Sequence, residues 1–442
     1  MKLRFLVAAL IAFALPAQAG LPIQQVETPG GLKAWLIEDS DIPFTALEIR
    51  FKGGTSLDPM EQRGVVNLMT ALLEEGAGSL DSQAFAEARD ALAAQFRFDA
   101  SQDSVSVSAK FLSENRDQAM ALLRAALVTP SFDAASVERV RGQVLSNIRS
   151  DAKEPDTIAE QVFDRAAFGN HPYGESGNGT EASVAALSRA DIEAAHRAAL
   201  ARDRVFIAAA GDITAADLAT LLDDLLGGLP AIGAPLPGRA ALQLKGGVTV
   251  VDFPTPQSVI RFGHQGIKRD DPDFFAAYIM NEILGGSRFS ARLMTEVREK
   301  RGLTYGIGSY LVPMDHAELV MGQFSSANAK TAEAIDIVRA EWQKMRDAGV
   351  TPEELARAKT YLTGSYPLRF DGNGPIARIL VGMQMQGLSI DYALTRNARI
   401  DRGRHLARRP AIAAPRRPAI CCRRPARRID IFALTQVQKS GG

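Results

Sequence analysis

Five histidines, at positions 171, 196, 264, 316 and 405, have the widest chemical repertoire in this 442-residue chain. A helical metal site needs two ligands at i and i+4, on one helix face. No two of these histidines lie within a helical turn of each other. The two cysteines, Cys421 and Cys422, sit side by side near the end. The first 400 residues can therefore build neither a disulfide framework nor a thiolate metal site. Glu74 and Glu75 are adjacent, point about 100° apart on a helix, and read as a solvated helix end. Asp371-Gly372-Asn373-Gly374 opens like a calcium loop. An EF-hand would then need Gly and Glu where this chain has Ile376 and Gly382, so the segment reads as a turn. Gly306-x-Gly308 follows no strand-to-helix junction and is no nucleotide site. His171, before Pro172, reads as a loop residue rather than a ligand.

The elements that could position chemistry come in two similar sets. Phe44 to Phe51 alternates as a half-buried strand does, and Gly64 to Glu74 is a mostly apolar helix. Asp103 to Phe111 alternates again, and Asn115 to Leu127 is an amphipathic helix. Ser188 with Asp191 forms a capping box opening the helix Ala190 to Ala201. Arg204 to Gly211 reads as a buried strand, and Thr214 with Asp217 caps the next helix. The order returns about 210 residues later: strand Ser258 to Phe262, helix Phe274 to Leu284, strand Glu318 to Phe324 and helix Ala329 to Asp347. Thr351-Pro352-Glu353-Glu354 opens a further helix. The fold class expected is α+β: two homologous domains, each a mostly antiparallel sheet with helices on one face. The boundaries read as 20–228 and 245–400, with a Pro/Gly-rich linker and hinge over 229–244.

Hydrophobic residues make up 46% and charged residues 23% of the chain, which excludes disordered, collagenous and coiled-coil classes. The formal charge is zero, but residues 401–442 hold ten Arg and one Lys against two Asp, a net of +9. The body over 1–400 therefore carries −9, which argues against nucleic acid as a partner. Lys2 and Arg4, the apolar run Phe5 to Leu15 and the small residues Ala17-Gln18-Ala19 form a signal peptide over 1–19, cleaved near Ala19. A periplasmic or secreted location follows, with no transmembrane segment expected in the mature chain.

Several ordered segments resemble the pitrilysin/insulinase family of zinc peptidases. They are Arg63 to Leu73, His171-Pro172-Tyr173-Gly174, the strand end Phe206 to Asp212, and above all Gly285 to Met294 running on to Tyr305. The resemblance covers roughly residues 30 to 400. The family's motif is H-x-x-E-H, two zinc ligands flanking a catalytic base, with a distant Glu completing the ligands. Here the matching positions hold Asn67, Thr70 and Ala71, and the distant Glu falls near Asn147. Ala71 has no donor atom and Thr70 is no base at neutral pH. The resemblance thus implies a non-catalytic member, with no cofactor in this chain and zinc in a partner subunit. Active members also use an Arg and a Tyr seven residues apart, contributed across the cavity, and Arg298 and Tyr305 have that spacing. A phenol and a guanidinium suit the oxyanion that develops on a scissile carbonyl. Without the resemblance, Arg298 to Arg301 reads as a solvated helix end closed by Gly302, and Tyr305 as a strand aromatic.

After Arg399 the sequence changes character, with Arg408-Arg409-Pro410, Arg416-Arg417-Pro418 and Cys421-Cys422-Arg423-Arg424-Pro425. Read one base forward, Ile420 to Pro425 permits Phe-Val-Val-Val-Gly, a strand end like that of the first domain. The tail over 401–442 is accordingly read as out of frame and the second domain as incomplete, lacking its closing helix and strand. A basic anchor for anionic surfaces and a natural truncation remain the other readings. Two functions are compatible with all this. One is the zinc-free subunit of a heterodimeric envelope metallopeptidase acting on unfolded peptides bound along a sheet edge. The other is a non-enzymatic scaffold of the same family.

Overall fold

The computed structural model describes residues 22–402 and, as backbone, 430–435. The leader expected over 1–19 lies outside the described residues, as do 403–429 and 436–442 of the tail. The first half contains β1 (Gln24–Glu27), β2 (Lys33–Glu38), β3 (Phe44–Lys52), α1 (Val65–Ala71), β4 (Gly76–Ala77), β5 (Leu80–Asp81), α2 (Ser82–Ala91), β6 (Gln95–Ala100) and β7 (Ser104–Leu112). It continues through α3 (Arg116–Val128), α4 (Ala134–Asp151), α5 (Pro155–Phe168), α6 (Glu181–Ala186), α7 (Arg189–Ala199), β8 (Val205–Gly211) and α8 (Ala215–Leu226). The second half contains β9 (Gly247–Asp252), β10 (Gln257–Gln265), α9 (Phe274–Gly285), a π-helical turn over Met294–Glu299, β11 (Ile307–Pro313) and β12 (Glu318–Ala327). It ends with α10 (Thr331–Ala348), α11 (Pro352–Gly364), α12 (Asn373–Met385), α13 (Tyr392–Arg402) and β13 (Asp430–Thr435). Asn373 and Gly374, expected in a turn, instead open α12.

The strand order is β1-β2-β8-β3-β7-β6 in the six-stranded sheet and β9-β13-β10-β12-β11 in the five-stranded one. The two orders match strand for strand apart from β1. In each, a late strand lies parallel to the first strand of the set and antiparallel to the next: β8 between β2 and β3, β13 between β9 and β10. The expectation that the second sheet lacks this strand is therefore corrected. Asp430-Ile431-Phe432-Ala433-Leu434-Thr435 fills the slot, with Ile431 opposite Phe262 and Val248. Its β-branched and aromatic residues suit a strand, and without it β9 and β10 would each present an unpaired backbone edge. The expected loss of a closing helix falls on residues outside those described.

Alternation along the strands explains the layers. Leu47, Ile49 and Phe51 of β3 and Ile207 and Ala209 of β8 face the first half's own helices, against Leu68 and Met69 of α1 and Leu123 of α3. The residues between them, Ala46, Ala208 and Ala210, face the other way and meet Ile376, Ala377, Leu380 and Val381 of α12. That helix comes from the second half. The exchange is reciprocal: Ala159 and Phe163 of α5 pack on Val259, Leu319 and Met321 of the second sheet, whose opposite face, Ile260 and Phe262, meets its own helices. Each sheet thus carries its own helices on one face and one borrowed helix on the other. This is why β8 is buried on both sides: its four central residues are completely inaccessible. The linker is pinned as well, since Pro230 accepts from the Arg202 N–H at 2.9 Å and the Ala240 N–H donates to His316 O at 2.8 Å.

Candidate functional site

Helix α1 carries Asn67, Thr70 and Ala71, three of the four positions that the resemblance matches to zinc ligands and base, and its start is firmly built. Gly64 precedes it at φ 91°, a conformation that L side chains rarely adopt, and a Cβ there would lie 2.6 Å from the Asn178 carbonyl oxygen. The Asp58 carboxylate accepts the Gly64 N–H at 2.7 Å and the Val66 N–H at 3.0 Å. Burial pushes the Asp58 carboxyl up to about 7, against those two donors and the Arg63 charge.

The four positions do not fit a zinc ion. Asn67 donates its amide to Asn178 Oδ1 at 3.2 Å, and Asn178 in turn donates to Asp151 Oδ2 at 3.0 Å. Thr70 is buried and donates to the Val66 carbonyl one turn back, at 2.8 Å. Ala71 is exposed and offers no donor atom. Asn147 is exposed on α4 and accepts from Gln143 at 2.9 Å. Among the described residues no three His, Cys, Asp or Glu are grouped so as to hold a metal.

The other two site candidates lie elsewhere. Arg298 is the penultimate residue of the π-helical turn, its guanidinium 4.9 Å from the centre of the exposed Phe289 ring. Tyr305 follows in a loop and is 90% exposed. Neither side chain makes a hydrogen bond or ion pair with any described residue.

Asn67 instead faces a cavity of about 620 Å³ between the halves. Its walls include Asp103, Asp151, Glu160, Asp164 and Glu175, with Val312 and Met314 from the second half. Glu160 pairs with Arg261 at 2.9 Å, and Glu175 pairs with Arg165. Burial, reinforced by the neighbouring Glu160 charge and opposed by Arg261, pushes the Asp164 carboxyl up to about 7. A second cavity, of about 1060 Å³, lies between α9, β11, α12 and α13. Among the described residues it contains Arg269, Arg369, Arg378 and Arg396 and a single carboxylate, Glu282.

Sequence reasoning missed a polar cluster at the seam. The Tyr173 hydroxyl donates to Asp103 Oδ1 and accepts the His316 N–H at 3.1 Å. The Asp315 N–H donates to Asp103 Oδ2 at 3.2 Å, and Lys52 pairs with Asp315 at 3.3 Å. Burial raises the Asp103 carboxyl and, with Asp103 beside it, the Tyr173 phenol; it lowers the His316 imidazole. The His171 ring accepts the Tyr173 N–H at Nδ1, so its Nε2–H donates to Gly238 O at 3.0 Å. His171 and His316, 145 positions apart in the chain, have ring centres 6.2 Å apart. The only signal for this cluster in the sequence was the segment His171 to Gly174.

Known proteins agree with this geometry. Residues 34–181 match the insulinase (peptidase family M16) domain, and residues 186–362 match the peptidase M16 inactive domain. A Helicobacter pylori protein described as a non-peptidase homolog, YmxG, is 24% identical over 367 residues, spanning 83% of this chain and 85% of its own. A Streptomyces coelicolor protein described as an uncharacterized zinc protease is 24% identical over 393 residues, spanning 86% and 84%. The crystal structure of a peptidase M16 inactive domain from Pseudomonas fluorescens superposes with a TM-score of 0.84 at 28% identity, covering 96% of this chain and all of that one. A Helicobacter pylori protease shares the fold, with a TM-score of 0.78 at 14% identity over 93% of this chain and 99% of its own. With both domain models matched in order and its metal positions held by Asn67, Thr70, Ala71 and Asn147, the chain belongs to the insulinase (M16) family of zinc peptidases, as a non-catalytic member lacking the zinc motif.

Proposed function

We propose that this chain is the zinc-free subunit of a periplasmic heterodimeric metallopeptidase. A partner carrying the intact motif supplies metal and base, while this chain supplies Arg298, Tyr305 and half of a peptide chamber. The observation that carries this reading is the state of those two side chains. Tyr305 stands 90% exposed, and Arg298 is held only against an exposed ring. Neither side chain is committed to a polar contact among the described residues, and Tyr305 in particular stands where another molecule can reach it. The Tyr305 hydroxyl would donate to the oxyanion developing on the scissile carbonyl, and the Arg298 guanidinium would offset its charge. An unfolded peptide would add as a strand along β6 or β11, which end their sheets.

The test is turnover by the reconstituted pair. Tyr305→Phe should lower peptide hydrolysis by roughly 10²-fold, the order seen when one oxyanion donor is lost. Arg298→Ala should do comparable damage, and the zinc content of the pair should stay the same in both variants. Full turnover in both variants would remove the catalytic part of this reading. The second reading, a scaffold with no enzymatic role, draws on the non-peptidase description of the Helicobacter pylori relative. A neighbouring gene encoding an H-x-x-E-H relative favours the first reading, and its absence favours the second.

A further inference from the structure

The larger cavity holds charge that the described residues leave unbalanced. Arg396 is only 5% exposed, yet it donates to neutral oxygens: Leu362 O at 2.9 Å and Asn397 Oδ1 at 3.3 Å. Arg269 likewise donates to Gln386 Oε1 at 3.0 Å and to the Tyr392 hydroxyl at 2.6 Å. Neither these two nor Arg369 forms an ion pair with a described carboxylate. Arg378 has Glu48 at 3.7 Å, and the cavity's own carboxylate, Glu282, is taken by Arg288 at 2.9 Å. Burying a cation without a counter-charge is costly, even where aromatic faces offset part of it. Here Tyr366 lies 4.2 Å from Arg396, and Phe274 lies 4.2 Å from Arg269. Arg269, Arg369 and Arg396 all line this one cavity, together with Tyr366. Beside them the wall is apolar, with Phe275, Ile379, Met383 and Leu388.

We propose that this cavity binds a carboxylate carried on an apolar or aromatic body, with its charge held by Arg269, Arg369 and Arg396. Planar guanidinium groups match a carboxylate fork with two parallel hydrogen bonds, and the apolar wall takes the rest of the ligand. The source is the terminal carboxylate of a peptide chain or a free organic acid; the chemistry is the same. None of these residues belongs to the Arg298–Tyr305 pair, and the test needs neither a partner nor turnover, so the two readings fail separately.

The experiment is calorimetric titration of the full chain with four probes. They are an N-acetylated Gly-Gly-Phe peptide with a free terminus, its amide, hydrocinnamate and inorganic phosphate. The free-acid peptide is expected to bind saturably at one site and the amide at least tenfold more weakly. Arg269→Gln and Arg369→Gln should each weaken the free acid by roughly tenfold, the order of one charge-assisted bond. Arg301→Gln, outside the cavity, should change nothing. Because Arg396 is buried, the exposed Arg369 carries the mutational test, with thermal melting to verify each fold. A peptide tighter than hydrocinnamate supports the proposal with a chain terminus as source, and equal affinities support it with a free acid. An amide as tight as the acid, phosphate matching both, or undiminished binding in both variants would overturn it.

Discussion

In the first half, α5 turns Thr157, Glu160, Gln161 and Asp164 toward one cavity and packs Ala159 and Phe163 on the second sheet. In the second half, α12 turns Arg378, Ile379, Gly382 and Met383 toward the other cavity and packs Ile376, Ala377, Leu380 and Val381 on the first sheet. The two helices occupy matching places in matching folds, and both split their residues between two faces at helical spacing. One cavity nevertheless gathers five carboxylates, and the other gathers four guanidiniums. The face against the borrowed sheet is constrained by packing density, so it stays apolar in both. The face toward the cavity is only partly packed, by Met383 and Ile379 on α12, so its charge is freer to diverge. The same difference runs along α1: Val65, Val66, Leu68 and Met69 pack in the core, while Asn67 faces the cavity.

The comparison is tested hardest through the exchanged helices. If the exchange holds the halves together, Phe163→Ala should cost about 3–5 kcal/mol and Leu380→Ala about 2–5 kcal/mol. Both halves should then unfold in one urea transition. The chain's two tryptophans report on different places: Trp342 on α10 lies within the second half, and Trp35 on β2 lies against the borrowed α12, so it is the transition midpoint at each and not the signal amplitude that is compared. A variant that shifts the midpoint at one tryptophan alone would show that the halves are independent and that the exchange is incidental.

The acidic cavity should leave a mark on the pH dependence of stability. With its folded pKa near 7 and an unfolded value near 4, Asp164 binds its proton more tightly in the fold. Its contribution is fully present below about pH 4 and is lost as pH rises to about 7. The loss is at most about 4 kcal/mol, and less where cavity water screens the charge. Asp164→Asn should flatten the stability profile over that window. An unchanged slope in this variant would place the titration elsewhere.

The smallest expected effect concerns α4 and α11, equivalent helices with different caps. Asp133 accepts the Ala135 and Ser136 N–H groups, and Thr351 forms a capping box with Glu354. Asp133→Ala and Thr351→Ala should each cost about 1 kcal/mol in chemical denaturation. Unequal costs would show that one half relies more on its helix ends.

Much of the fold was legible in the sequence because periodicity is local. Phe44 to Phe51, Glu318 to Phe324 and the caps at Ser188, Thr214 and Thr351 all appear as read, with ends shifted by a few residues. The β13 strand was misjudged because the Arg- and Pro-rich run before it dominated the reading, although Asp430 to Thr435 has strand character of its own. The seam cluster was not legible. His171 and His316 lie in separate halves, and no spacing rule connects them.

The sequence by itself determined which atoms are available at positions 67, 70, 71 and 147, and an alanine or a threonine cannot become a zinc ligand and base in any fold. The two faces of α5 and α12 follow from the 3.6-residue period, although neither helix was read from the sequence. Only the tertiary structure decided which sheet covers each face, and so which charges share a cavity. Arg269, Arg369, Arg378 and Arg396 span more than a hundred positions. They meet because α12 crosses to the first sheet while α9, β11 and α13 close around its other side. Such a meeting depends on how whole elements pack, a property of long-range burial that no single segment carries.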